Sequence, residues 1–346
     1  MGNGRILMAP RPGLSGGPSI SLLRLQQGFK NAGYQTSSLV FRLTGKQILP
    51  FDFSVMMGVP VYAHKLLAYP QPTILIMGKP EDPIESAATH RRFSVRDEIE
   101  NEDRANVIES AQHVTFISHY VEEIWRNWFF QKRRKFLDKT QYSIIYHGLD
   151  LDVFRPAALQ ERNNIFTIGC VGAIRTPVRV NSIFEVSRRL PFEHQFIVVG
   201  SATEDCEKVL SEYASSSKFP SFIKRVKWVD ANRLPKQFQQ MDCLLHPVDH
   251  EGFGIAMSEA MACGVPVVAP NHGAASEIIM GGGYCARVEK FNYNDHFYDE
   301  LANGIITIRN DLDSYSKMAR SVAEKNFNID HISKKFIEIG NLLIGK

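Results

Sequence analysis

Two carboxylates and two glycines give the sequence its sharpest chemical signal. In HPVDHEGFGIAMSEAMACGVPVVAP, from His246 to Pro270, Glu251 and Glu259 are separated by seven residues, and Gly252 and Gly254 follow the first of them. The apolar run ending at Leu245 reads as a strand, a helix is expected from about Ile255 to Cys263, and Gly264 supplies its stop. The amides of Gly254, Ile255 and Ala256 then point out of a helix N-terminus, where unpaired N–H groups and the helix dipole favour an anion such as phosphate. Glycine at 252 and 254 removes side chains that would obstruct its approach. Carboxylates accept hydrogen bonds from hydroxyls, so Glu251 and Glu259 are placed to take sugar hydroxyls on either side of the phosphates. One segment thus suits a whole nucleotide-sugar. The plainer reading makes Glu251 a helix N-terminal acid, worth about 0.3–1 kcal/mol, and Glu259 a surface residue. Ala260, Met261, Ala262 and Cys263 after Glu259 argue against an exposed face.

Such a segment needs a sheet to hold it. Short apolar runs alternate with longer amphipathic stretches, the pattern of parallel strands joined by helices. RILMAP, SSLVF, TILIM, VTFIS and SIIYHG read as strands of the first half, and FTIGCVG, QFIVVG, VKWV, CLLHP, VPVVAP and YCARV as those of the second. A helix is expected from Pro18 to a stop at Gly33, with weaker signals over Tyr62 to Ala68 and Ser94 to Ser110. Ser182 with Glu185, and Ser201 with Glu204, have capping-box spacing, which predicts helices starting just after Ser182 and Ser201. The turn-rich LDLDVFRPAALQERNN separates the halves. The expected fold class is α/β, two Rossmann-like doubly wound domains over 1–155 and 156–325, with a C-terminal helix over 326–346 that can return to the first. In such sheets ligands sit at the carboxyl ends of the strands, so the cleft between two facing sheets is the expected site.

Composition sets outer bounds. The chain has 346 residues, 44% hydrophobic and 22% charged, as in ordinary globular proteins. A net charge of +3 from 40 basic and 37 acidic residues gives no global field for nucleic acid, and no nucleic-acid partner is expected. Five scattered cysteines without a C-x-x-C pair fit a reducing compartment. With no signal-peptide pattern and no run of eighteen apolar residues, a cytoplasmic location is expected.

At this point the sequence resembles the family 4 retaining glycosyltransferases of GT-B fold, the glycosyl transferases group 1. Their signature is two glutamates separated by seven residues within E-G-F-G and E-A-M-A-C-G-x-P-V. PGLSGG, from Pro12 to Gly17, is similar to the family's glycine-rich loop, SIIYHGLDLDVFRP to its interdomain segment, and FISHY to its strand ending in serine. The resemblance implies a sugar transferred from a nucleoside diphosphate donor to a glycan, lipid-linked or small-molecule acceptor with retained configuration, and no metal or cofactor. It implies that Glu259 binds ribose, Glu251 the donor sugar, and the amides of Phe253, Gly254 and Ile255 the sugar or diphosphate. Gly16 and Gly17 would approach the diphosphate from the opposite domain. Gly172 stands where the family has Gly-Arg and then a Lys, but Ala173 and Val178 occupy those cation positions. Arg175 and Arg179 in the same stretch are the expected substitutes, since a guanidinium holds phosphate in a bidentate way.

The acceptor side is marked more weakly, by Lys79 and Asp82 after TILIM and by His147 at the domain junction. His246, His250 and Asp249 hint at a metal, but Pro247 spoils helical i, i+4 geometry and none is expected. In WRNWFFQKRRKFL, Trp125 and Trp128 beside Arg133 and Arg134 suit an anionic membrane surface. The alternative is a helix with core aromatics and solvated charges. Two rival functions are a transferase-like binding subunit without turnover, favoured by the missing cations, and a dinucleotide-dependent oxidoreductase. For the latter neither GCVGAIR nor VVGSATED supplies G-x-G-x-x-G.

Overall fold

In a computed structural model, described for residues 4–9, 17–38, 51–58, 63, 67–68, 70–80, 94–157, 165–215 and 222–345, the chain forms two α/β units. The chain passes from the first unit to the second after Asp150 and returns to the first at Phe327. Each unit is built on one six-stranded sheet whose strand pairs are all parallel.

The first sheet has the order β2-β1-β3-β4-β5-β6. Its strands are β1 (Arg5–Ala9), β2 (Gln35–Ser38), β3 (Phe53–Met57), β4 (Thr73–Met77), β5 (His113–Phe116) and β6 (Tyr142–Ile144). β3 and β4 are buried along their whole length, so neither shows polar alternation. That is why β3, with Ser54 and two methionines, escaped sequence reading; the Ser54 hydroxyl is satisfied by Thr73 Oγ1 at 2.8 Å. Of SSLVF, Ser37 and Ser38 end β2 and the rest lies outside the described residues, as does most of Tyr62 to Ala68. Helices α1 (Gly17–Asn31), α2 (Val95–Ser110) and α3 (His119–Arg133) follow β1, β4 and β5. α2 opens on a capping box between Ser94 and Asp97.

The second sheet has the order β12-β11-β10-β7-β8-β9. Its strands are β7 (Phe166–Val171), β8 (His194–Val199), β9 (Phe222–Val226), β10 (Cys243–Leu245), β11 (Val267–Pro270) and β12 (Gly283–Ala286). Its helices are α4 (Pro177–Ser187), α5 (Glu204–Ser215), α6 (Leu234–Phe238), α7 (Ile255–Ala262), α8 (Ala275–Ile279), α9 (Asp295–Asn310) and α10 (Leu312–Asn326). Three expectations are corrected here. α4 begins at Pro177 behind Thr176, and Ser182 lies inside it, its hydroxyl bonded to the Val178 carbonyl; a proline at the first helical position outweighs a box-like spacing downstream. α5 begins behind Thr203, not Ser201, with Glu204, Asp205 and Glu207 in its first turn. VKWV is mostly loop, because β9 ends at Val226 and leaves Trp228 74% exposed.

The last helix, α11 (Ile329–Leu343), belongs to the first unit. Phe336 meets Phe29 of α1 edge to face at 6.3 Å, and Leu149 pairs with Asn328 in an isolated bridge. In α3, Trp125 is fully buried and donates to the Gly78 carbonyl at 2.8 Å, while Trp128 packs on Trp125 and Phe129. Arg133 is bound by Glu102 and Glu109, and Lys132 by Glu98. The membrane reading is therefore corrected for Trp125, Trp128 and Arg133: the aromatics are core and the basic groups pair with acids of α2, leaving Arg134 and Phe130 exposed. Among the described residues no helix is long and apolar enough to cross a membrane.

Candidate functional site

In the second sheet the chain winds outward from β7 through β8 to β9 and then crosses back to β10 on the other side of β7. The crevice at the carboxyl ends of β7 and β10 is thus the topological switch point of this unit, where open α/β sheets bind ligands. The sequence loads both lips of it.

On the β10 lip, His246 continues the ladder, its N–H bonded to the Val268 carbonyl at 2.8 Å. Glu251 follows, with its carboxylate 3.0 Å from His246 Nε2 and its side chain 30% exposed. The Glu251 carbonyl accepts from Ala274 N–H at 2.9 Å, so its backbone is held by the loop before α8. Gly252, Phe253 and Gly254 are buried and turn the chain into α7. Gly254 is the N-cap at φ 82°, a left-handed conformation in which a Cβ would press on Met257 and lie 3.0 Å from Glu251 Cγ. No side chain caps α7, and the half-buried Ile255 and Ala256 carry its first amides. This is the anion-binding geometry of a helix N-terminus.

α7 is apolar on every side and buried, so Glu259 is carried inward to 3% exposure; it is no surface acid. Its charge reaches the Cys263 thiol, which burial first and then Glu259 push up to about 12, with Arg320 opposing. Burying a carboxylate is costly unless it is paired and hydrogen-bonded, and perturbed acids in crevices cluster at functional sites.

On the β7 lip, Gly172 adopts φ 117°, and Arg179 from the first turn of α4 folds over it. The guanidinium donates to the Ala173 and Val171 carbonyls at 2.8 and 2.9 Å. Burial lowers the Arg179 pKa, while Cys170 and Glu251 act to raise it, so this guanidinium and the Glu251 carboxylate share one electrostatic site. Its head lies against the backbone of Ala173, the position where the family carries its own arginine. Arg175 is exposed to solvent, so of the two substitutes the structure brings only Arg179 into this site.

The other candidates are scattered over the first unit. Gly17 opens α1, whereas Gly16 and Asp82 lie outside the described residues. Lys79 is half-buried after β4, with its carbonyl accepting from Arg104 at 3.3 Å. His147 is pushed down to about 4 by burial and then by Arg24, which makes it a neutral imidazole at pH 7. Sequence reasoning missed the partnership of His246 with Glu251, whose only trace is a histidine at the strand end five positions before the acid. It also missed what Asp249 does: this 1% exposed acid, weighed above only as a metal ligand, accepts the Phe291 N–H at 3.0 Å and ties the site loop to the segment after β12. Among the described residues no three His, Cys, Asp or Glu side chains come together as a metal site.

The two parallel six-stranded sheets with their helices match solved glycosyltransferase structures and give the chain a GT-B fold. Residues 165–311 match the family model described as "Glycosyl transferases group 1". A lipopolysaccharide core biosynthesis mannosyltransferase, LpsB of Rhizobium meliloti, is 31% identical over 153 residues, covering 40% of this chain and 43% of that protein. A D-inositol 3-phosphate glycosyltransferase of Catenulispora acidiphila is 26% identical over 162 residues, 42% of this chain and 38% of its own length. The chain therefore spans less than half of these curated relatives. Over nearly the whole chain the fold matches sucrose-phosphate synthase from Thermosynechococcus elongatus, with TM-score 0.73 at 15% identity, covering 99% of this chain and 100% of the other. It also matches Anabaena HepE solved with UDP-glucose, with TM-score 0.69 at 17% identity, covering 97% and 99%.

Proposed function

We propose that this protein transfers a hexose-type sugar from a nucleoside diphosphate sugar to a glycan, lipid-linked or small-molecule acceptor, with retention at the anomeric carbon. The observation that carries the reading is the convergence, at one switch point, of the uncapped α7 N-terminus, the Glu251 carboxylate and the Arg179 guanidinium. The amides of α7 and Arg179 are charge partners for a diphosphate, and Glu251 and Glu259 are acceptors for sugar and ribose hydroxyls. HepE, a neighbour of like fold, was solved with UDP-glucose, which supports a nucleotide-sugar as the ligand class.

In this mechanism the protein positions the donor and stabilises charge on the departing diphosphate, both large terms in a preorganised site. The leaving phosphate oxygen takes the acceptor proton on the face from which it departs, so the sugar keeps its configuration and no protein nucleophile or metal takes part. A binding subunit without turnover is the second reading, favoured by Ala173 and Val178 at the usual cation positions; Arg179 against Ala173 favours the enzyme.

A thermal-shift screen with UDP-, GDP- and ADP-sugars tests the ligand class, because a ligand that binds only the folded state raises Tm. At least one nucleotide series is expected to raise Tm in the wild type. Glu259→Ala should weaken that nucleotide by about 1.5–3 kcal/mol, the worth of a hydrogen bond to a charged group, whereas Glu251→Ala should spare nucleotide affinity and lower transfer. Equal nucleotide binding in Glu259→Ala and wild type would remove Glu259 from the site.

A further inference from the structure

His246 is a buried histidine that the transferase reading does not use. It is 3% exposed, and its backbone is fixed on both sides: the N–H bonds the Val268 carbonyl at 2.8 Å, and its own carbonyl accepts the Val248 N–H at 2.9 Å across Pro247. The ring is therefore anchored to the end of the sheet. Its Nε2 lies 3.0 Å from Glu251 Oε2. A carboxylate only accepts, so Nε2 carries the proton. Nδ1 is buried and has no hydrogen-bond partner among the described residues. Leaving a buried ring nitrogen unsatisfied opposes folding, and among the described residues the ring's polar contact is to Glu251. The Glu251 backbone is held separately, by Ala274 N–H and by the close approach of Gly273. Backbone and carboxylate of Glu251 are thus fixed from two different strands' ends.

We infer that His246 is a positioning residue that orients the Glu251 carboxylate toward the donor sugar; this rests on the proposed transferase function. The imidazole N–H sets which way the carboxylate plane faces before the donor arrives, so that no reorganisation is needed during transfer.

The test compares His246→Met, which keeps volume but removes the donor, with His246→Gln, whose amide nitrogen stands near the place of Nε2. Turnover and nucleotide affinity are measured on the donor sugar that the wild type hydrolyses or transfers. His246→Met should lose about ten- to a hundredfold in kcat, the scale of a displaced reacting group, with donor KM, nucleotide Kd and Tm near wild type. His246→Gln should recover most of the rate. If Met at this position prevents folding, His246→Asn, whose amide falls short of Glu251, takes its place with the same expected loss. A joint fall of kcat, affinity and Tm without rescue by Gln, or an unchanged kcat in His246→Met, overturns the inference while leaving the transferase reading intact. A wild type that turns over no nucleotide-sugar overturns both.

Discussion

Arg179 shows how much a single side chain can depend on its place. Read as sequence it is one of two arginines near a helix start, and Arg175 has equal claim. In the structure the Val171 and Ala173 carbonyls hold its guanidinium over Gly172, within electrostatic reach of Glu251, and Arg175 is exposed. A fixed guanidinium facing a departing diphosphate should lower the barrier more than it tightens binding. Arg179→Ala is therefore expected to lose about a hundredfold in kcat, the typical cost of one preorganised electrostatic donor, with a small change in KM. Arg175→Ala should stay near wild type. Arg179→Lys keeps charge but not the planar fork, and an intermediate rate in steady-state kinetics would show that geometry matters as well as charge. Glu251 and Glu259 were legible as candidates because their types and spacing form a long motif. His246 was not, because its role rests on a hydrogen bond across a turn, which spacing alone does not reveal.

The element that turns those residues into a site is α7. Strand β10, the glycine turn, α7 and the stop at Gly264 could all be read from apolar runs and glycines. Elements whose signals conflicted were misread: β3 lacks alternation because both its faces are buried, and α4 starts at Pro177 although Ser182 and Glu185 mimic a cap. At Gly254 the local rule and the function coincide. Its left-handed φ of 82° is costly for any residue with a Cβ, by roughly 1–2 kcal/mol, and a Cβ would also push on Met257 and Glu251. Gly254→Ala is thus expected to lower Tm modestly and to weaken binding of a free nucleoside diphosphate measured by calorimetry. An unchanged affinity would show that the α7 N-terminus does not hold the phosphates.

At the scale of the whole molecule, each unit contains histidines that folding keeps neutral. His147 is pushed down to about 4 by burial and then Arg24, and burial also lowers His113 in the first unit and His194 in the second. A group whose folded pKa lies below its unfolded value of 6.5 binds more protons when unfolded. Its contribution to stability is complete above about pH 6.5 and is lost as pH falls toward 4. Tm measured from pH 7 to 4.5 should fall, and His147→Gln should flatten that dependence; a slope unchanged by the substitution would show that other groups govern acid sensitivity. The two parallel sheets were legible as alternating apolar runs and amphipathic stretches, while the return of α11 to α1 depends on long-range packing such as Phe29 on Phe336.

In the proposed function the switch point of the second unit handles the diphosphate of a nucleotide-sugar without a metal. Release of free nucleoside diphosphate from UDP-, GDP- and ADP-sugars, followed by chromatography in EDTA with the whole chain, measures this directly. The expected result is release from at least one donor that survives EDTA and falls sharply in Arg179→Ala. No release from any donor, or release that is abolished by EDTA and restored only by a divalent ion, would contradict the proposed function.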